Sequence, residues 1–356
     1  MEKRITIGLD MGDRNHSVCV LDADGGVKAR ATLANTAAAL QKYFGALPSC
    51  RIALEAGTHS GWISRLLEGM GHEVLVGNPR KLRVIWDSDE KTDERDAEML
   101  ARIARFDPHL LHPIHHRGQA AHTDLAVIKA RDMLVKTRSM LIAHARGAVK
   151  TMGQRISTCS AEVFHRRLLE EMPSELRPAL EPVMKSIEDL TTRIRHYDQL
   201  LQKLCEQSYP ETEGLRAISG VGPITALAYV LTLEERSRFA KSRDVGPFLG
   251  LVPKRDQSGQ TDRQLHVTKA GDAYVRRLLV GSAQYILGPF GPDCDLRRFG
   301  LKVAERGGKN AKRRAVVAVA RKLAVLMHRL WTSGKAYDPC YSQTRKGSQT
   351  AESKTA

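Results

Sequence analysis

Three short apolar stretches follow one another near the N-terminus, separated by segments too short to hold a helix. Residues 4–10 (RITIGLD), 16–22 (HSVCVLD) and 27–33 are divided by MGDRN and by Asp24-Gly25-Gly26. This spacing predicts a three-stranded meander with a glycine hairpin turn. The pattern then changes. Residues 33–44 have helical spacing, and 51–55 (RIALE) read as a fourth strand. Trp62, Ile63, Leu66 and Leu67 mark a helix, 73–76 a fifth strand and 91–106 a further helix. A meander followed by alternating helices and strands predicts an α/β sheet with helices packed on it.

Beyond it the periodicity is helical. Residues 118–150 read as one long helix studded with Lys129, Arg131, Lys136, Arg138, Arg146 and Lys150. After a broken stretch containing Pro173 and Pro178, Val183, Ile187, Leu190, Ile194, Tyr197, Leu201 and Leu204 recur at alternating steps of four and three. That is an a/d seam, which predicts a coiled coil within one chain or between two; a helix buried against its own domain is the alternative. From residue 214 the chain reads as helical and basic, and residues 341–356 are polar without apolar pattern, as in a disordered tail. The expected domains are 1–150, 151–212, 213–340 and the tail 341–356.

Charge divides the chain of 356 residues unevenly. The net formal charge is +16, but residues 1–113 carry −1, 114–150 carry +5, 151–214 carry −3 and 215–356 carry +15. A polyanion is the expected partner of so basic a C-terminal half, most often nucleic acid. No stretch approaches the ~18 apolar residues of a membrane span, and MEKRITIGLD lacks the apolar core of a signal peptide. Six scattered cysteines without a CxxC pair argue for reduced thiols and a cytoplasmic setting.

Four carboxylates stand out by position. Asp10 ends the first strand and Glu55 the fourth, while Asp93 and Asp96 in KTDERDAEML share a helix face at i and i+3. Singly each fits a turn, a strand end or a solvated helix; Asp13, Asp87 and Asp89 compete with them. Together they fit a ribonuclease-H-like arrangement. Converging carboxylates are tolerable beside divalent cations, and hard oxygen ligands suit Mg2+ in phosphoryl transfer.

The basic half offers three nucleic-acid candidates. LRAISGVGPITALAYV places Gly220 and Gly222 between apolar helices, a helix-hairpin-helix signature whose free N–H groups suit a phosphate; a plain interhelical turn is the alternative. Residues 254–269 read as a polar loop holding Lys254, Arg255, Ser258, Arg263 and Lys269, with Arg276 and Arg277 just beyond. On composition alone Ser258-Gly259 is an ordinary turn, although a serine ringed by cations could attack a phosphodiester. Residues 309–331 form a basic amphipathic helix led by Lys312, Arg313 and Arg314. Such a helix also suits a membrane surface, but a basic chain without a lipidation signal favours nucleic acid.

Taken in order, GLDMGDRNHSVCVLD, IALEAGT, KTDERDAEMLAR, LRAISGVGPITA, FLGLVPKRDQSG and TKAGDAYVRRLLVGSA resemble the DEDD transposases of the bacterial insertion-sequence family one hundred and ten, also called bridge-RNA-guided recombinases. The resemblance spans residues 4 to about 335. It implies a RuvC-like N-terminal domain, coiled-coil helices and a mainly α-helical transposase domain. It implies Mg2+ held by Asp10, Glu55, Asp93 and Asp96, and Ser258 as the nucleophile. Many relatives have two serines before the glycine, whereas this chain has Gln257-Ser258-Gly259, so the role falls on Ser258. The implied partners are donor and target DNA, a structured guide (bridge) RNA, and further copies of the chain in a dimer or tetramer on nucleic acid. Two other readings are a RuvC-like Mg2+-dependent nuclease without a covalent intermediate and a non-catalytic basic nucleic-acid-binding protein.

Overall fold

The structure is a computed structural model that describes residues 5–82 and 92–342. Asp87, Asp89 and the tail from residue 343 lie outside the described residues. The chain divides into two compact units, Met1–Arg117 and Gly118–Ala356.

The first unit is a five-stranded mixed sheet. β1 (Thr6–Met11), β2 (Asn15–Leu21) and β3 (Val27–Ala34) form the meander, and β4 (Arg51–Glu55) and β5 (Glu73–Gly77) extend it in the order β3-β2-β1-β4-β5. β1 pairs antiparallel with β2 and parallel with β4, which pairs parallel with β5. Alternation in β1 sends Ile7 and Leu9 to one face. There they join Val18, Val20, Ile52 and Leu54 beneath Leu40 and Phe44 of α1 (Ala37–Phe44) and Ile63 and Leu67 of α2 (Ser60–Gly69). The helix begins later than residue 33, because Leu33 and Ala34 still pair with His16 and Asn15. Thr36 then caps α1 by accepting from Ala39 N.

The other face takes a closer neighbour. After a single turn, α3 (Pro79–Leu82), the chain reaches α4 (Asp93–Phe106), which lays Ala97 and Ala101 against Cys19 and Leu21. A Cβ on Gly8 would stand 1.8 Å from the Ala97 carbonyl oxygen. Only glycine lets this helix rest on the β1 backbone.

The second unit is helical apart from one hairpin. It contains α5 (Gln119–Thr151), α6 (Phe164–Glu171), α7 (Arg177–Gln207), α8 (Thr212–Arg216), α9 (Pro223–Leu233), α10 (Val245–Phe248), α11 (Ala273–Leu287), α12 (Asp295–Glu305) and α13 (Ala311–Ser333). Its main core joins Leu125 and Ile128 of α5, Leu201 and Cys205 of α7, the wholly buried 225–233 of α9, Leu279 of α11 and Leu323 of α13. Buried Tyr229 donates to the Ala324 carbonyl at 2.7 Å. The long basic helix falls in the second unit, where its apolar stripe is buried in this core. No helix among the described residues is long and apolar enough to cross a membrane.

The α7 seam is filled within the chain. Ile187, Ile194 and Leu201 are buried. From α5, Arg138 donates to Thr191 Oγ1 of α7 at 3.2 Å and Arg131 to Asp198 at 2.7 Å. Ile187→Asp with Ile194→Asp is therefore expected to melt the second unit rather than change assembly. Each carboxylate placed in the seam costs on the order of 3–5 kcal/mol, and an ordinary domain has about 5–15 kcal/mol in all. Circular dichroism should show lost helix; native helicity with an altered oligomer by light scattering would contradict this.

The stretch expected to be a loop is an antiparallel hairpin, β6 (Pro253–Ser258) and β7 (Thr261–Val267). Its strands carry no apolar alternation, so nothing in their pattern announces them. Backbone pairing and a two-residue turn, with Gly259 at φ +52°, make the ribbon.

Candidate functional site

The sheet register sets the first cluster. Leu9 pairs with Leu54, so Asp10 and Glu55 are the next positions on adjacent parallel strands. Since Leu9 and Leu54 face the α1–α2 core, Asp10 and Glu55 belong to the opposite face, over which α4 lies. The direction of α4 follows from its ends. Near its C-terminus Arg105 donates to the carbonyls of Asp22 and Ala23, past the end of β2 that pairs with the start of β1. Arg51, which opens β4, donates to the Ala104 carbonyl at 3.2 Å. The helix thus runs antiparallel to β1 and β4, and its N-terminal turn with Asp93 and Asp96 lies toward the strand ends that carry Asp10 and Glu55.

Local chemistry explains that turn. Thr92 Oγ1 accepts from Arg95 N at 3.3 Å, and Asp93, Glu94 and Asp96 occupy the positive end of the helix dipole. Asp10, Glu55 and Asp96 are half-buried and Asp93 is exposed. All four are hard oxygen donors, the type that Mg2+ takes. Among the described residues, however, no three His, Cys, Asp or Glu side chains are grouped closely enough to hold a metal. The register makes neighbours of Asp10 and Glu55, and the first turn of α4 lies toward their strand ends, without a closed cage among the described residues.

Asp13 lies in the β1–β2 turn, exposed, with Oδ1 3.3 Å from His59 Nε2. Two residues that sequence reasoning passed over support this turn. Asn35 donates to the Asp13 carbonyl at 2.9 Å and faces His16 Nε2 through Oδ1 at 3.1 Å. His16 is fully buried, and burial lowers its pKa, so it stands neutral. The two are nineteen residues apart and carry no local signal.

In the second unit Ser258 is the exposed last residue of β6, paired with Thr261 across the turn. The hairpin base is tightly built. Gly250 (φ +68°) and Gly271 (φ +69°) cross so closely that a Cβ on either would meet backbone oxygen at 2.2 or 2.0 Å. Arg276 donates to the Leu249 and Ala270 carbonyls at 3.0 and 2.7 Å, fastening that base. Arg277 pairs with Asp132 at 2.5 Å, and Arg255 with Asp262 at 2.8 and 2.7 Å. The Arg255 guanidinium holds the Asp262 carboxyl below the usual range. Lys254, Arg263 and Lys269 are exposed, the last at φ +53°. Lys312 and Arg313 are exposed in the first turn of α13, while Arg314 donates to the Gly307 carbonyl at 2.6 Å.

The Gly220–Gly222 turn joins α8 to α9. Gly220 has φ +86°, and a Cβ there would meet the Tyr285 ring at 2.9 Å; Gly222 is an exposed, extended N-cap. Two helices flank the turn, as both the helix-hairpin-helix reading and a plain interhelical turn require, and α8 has only five residues.

Comparison with known proteins adds a framework to these features. Residues 7–153 match a DEDD-type family model described as Transposase, and residues 212–292 match one described as Transposase IS116/IS110/IS902 family. The chain is 27% identical to a probable family 20 transposase of Pseudomonas aeruginosa over 94% of its own length and 98% of that protein. It is 28% identical to the transposase for insertion sequence element IS1111A of Coxiella burnetii, over 93% and 90%. A pilin gene-inverting protein of Moraxella bovis is 24% identical over 75% of each chain.

Proposed function

The chain belongs to the IS110 family of transposases, enzymes of DNA recombination, and from that premise we propose that it cuts and rejoins donor and target DNA through a phosphoserine intermediate at Ser258, guided by a structured RNA. One observation carries the reading furthest: Asp10 and Glu55 stand side by side in register under α4, whose first turn adds Asp93 and Asp96. The strand order and the position of α4 support a RuvC-like, ribonuclease-H-like domain.

The four carboxylates would hold Mg2+, which supplies charge neutralisation and polarisation of a phosphate oxygen. Ser258 Oγ attacks phosphorus, losing its proton as the Oγ–P bond forms. The strand's P–O bond breaks, and the departing sugar oxygen takes up a proton. Rejoining reverses the exchange: a DNA hydroxyl attacks the phosphoserine and the serine hydroxyl is restored. The bond energy is retained, so ligation needs no nucleotide cofactor. A nuclease acting through water would lose it. The likeness to a protein named as gene-inverting favours a rearrangement of DNA over net hydrolysis.

The excess charge of +5 on residues 114–150 and +15 on 215–356 supports backbone binding of both DNA and a guide RNA, with base pairing supplying specificity. The reading includes a dimer or tetramer on nucleic acid and a cytoplasmic, nucleoid-associated setting. In EDTA strand cleavage and joining should cease, and adding Mg2+ should restore both. Recombinant product formed in EDTA would refute the metal-dependent reading.

A further inference from the structure

The β6–β7 hairpin has two chemically different faces. Residues directly opposite in an antiparallel pair share a face, and so do residues two apart on one strand. Ser258 pairs with Thr261 and Asp256 with Arg263, so these four share one face. Gln257 pairs with Asp262 and Arg255 with Gln264, and these four share the other. The bidentate Arg255–Asp262 contact is a diagonal pair within that second face, in agreement with the register.

The ion pair settles what each face can bind. Arg255 is already neutralised by Asp262, so its face presents amides and an internal pair. Arg263 is diagonal to Ser258, at a separation of about 7 Å that a long side chain spans. Asp256 lies directly across from Arg263, yet no ion pair joins them among the described residues. Every residue of both strands except Val267 is exposed. A guanidinium, two hydroxyls and the Asp256 carboxylate thus share one open face, and with no ion pair formed there the guanidinium and hydroxyls are donors suited to a phosphodiester.

We infer that the Ser258 face of the hairpin receives the DNA strand at its scissile phosphodiester, with Arg263 as the phosphate-binding residue, and that Arg255 fastens the ribbon without touching nucleic acid. The inference rests on the reading of Ser258 as the nucleophile. A single strand is the ligand the face fits, because among the described residues Arg263 is the one guanidinium on this narrow ribbon outside an ion pair, with Lys254 at its far end, rather than part of a broad basic surface.

The full chain, stripped of RNA, is titrated with a labelled single-stranded oligodeoxynucleotide at several salt concentrations. Arg263→Gln should weaken binding and lower the slope of log affinity against log salt by about 0.7, the loss of one phosphate contact. Arg263→Lys should restore the slope. The charge-neutral double variant Arg255→Gln with Asp262→Asn should leave the slope unchanged and lower only the melting temperature. At saturating DNA, Arg263→Gln should reduce the covalent adduct at least tenfold. An unchanged slope in Arg263→Gln overturns the inference. So does an equal loss in the double variant, or a loss confined to an RNA oligonucleotide. The slope requires no cleavage, so it decides on Arg263 even if the adduct proves not to lie on Ser258.

Discussion

Ser258→Ala is expected to abolish the covalent protein–DNA adduct and to lower recombination on the order of 10^4-fold or more, as removal of a nucleophile does elsewhere. The fold should be untouched, because Ser258 is exposed at the end of β6 and its backbone pairing with Thr261 does not use the hydroxyl. RNA and DNA binding should persist. Ser258→Cys would keep a trace of activity, since sulfur is the better nucleophile but a different fit. A denaturing gel with labelled DNA, followed by peptide mapping, reads the result. The competitors differ physically. Ser282 is 4% exposed within α11 and Ser219 is half-buried. Ser242 is the serious rival. Its Oγ lies 2.9 Å from His328 Nδ1, whose other nitrogen faces the Arg236 carbonyl at 3.0 Å, and burial keeps that imidazole neutral. An adduct that survives in Ser258→Ala, or maps to Ser219, Ser242 or Ser282, would overturn Ser258, and only mapping to Ser242 would make the imidazole-bound serine the nucleophile.

Legibility in the sequence followed the range of the forces involved. The five strands and α4 could be read because each carries its own period: Ile7 and Leu9 alternate, and Ala97, Ala101 and Ala104 recur at helical steps. Asp10 and Glu55 could be read as strand ends, but their being neighbours is a matter of register, which no single strand encodes. The hairpin was illegible because its pairing rests on backbone bonds and the Arg255–Asp262 contact rather than on a buried face. The destination of α5 was equally hidden. Its apolar stripe says that it packs, while the partners, α7 and α9, lie far along the chain. Cations show the same limit. Composition marks Arg255, Arg276 and Arg277 as alike with Lys254 and Arg263. The structure gives the first three carboxylate or carbonyl partners, which only long-range folding supplies. His16 and Asn35 went unseen for that reason too.

Asp10→Asn is expected to separate stability from activity in opposite directions. In the proposed site, four carboxylates directed to one sheet edge would repel one another in the absence of a cation. Replacing one by its amide keeps the shape and removes a charge, so in metal-free buffer the melting temperature should hold or rise by a few degrees. Added Mg2+ should then stabilise the wild type more than the variant, because ligand binding to the native state raises stability by mass action. Recombination should fall at least ~10^3-fold, equivalent to about 4 kcal/mol of lost transition-state stabilisation. Asp96→Asn should behave alike, since Asp96 lies on the α4 turn facing that edge. Asp13→Asn is the control. Asp13 is exposed and engages His59, so its loss should change activity less than about tenfold. Calorimetry with and without Mg2+, run beside the strand-joining assay, gives both readouts on one preparation. Full activity in Asp10→Asn or Asp96→Asn would remove the carboxylate set from the mechanism. A Mg2+-induced rise in melting temperature that is identical in wild type and Asp10→Asn would place the cation elsewhere on the protein.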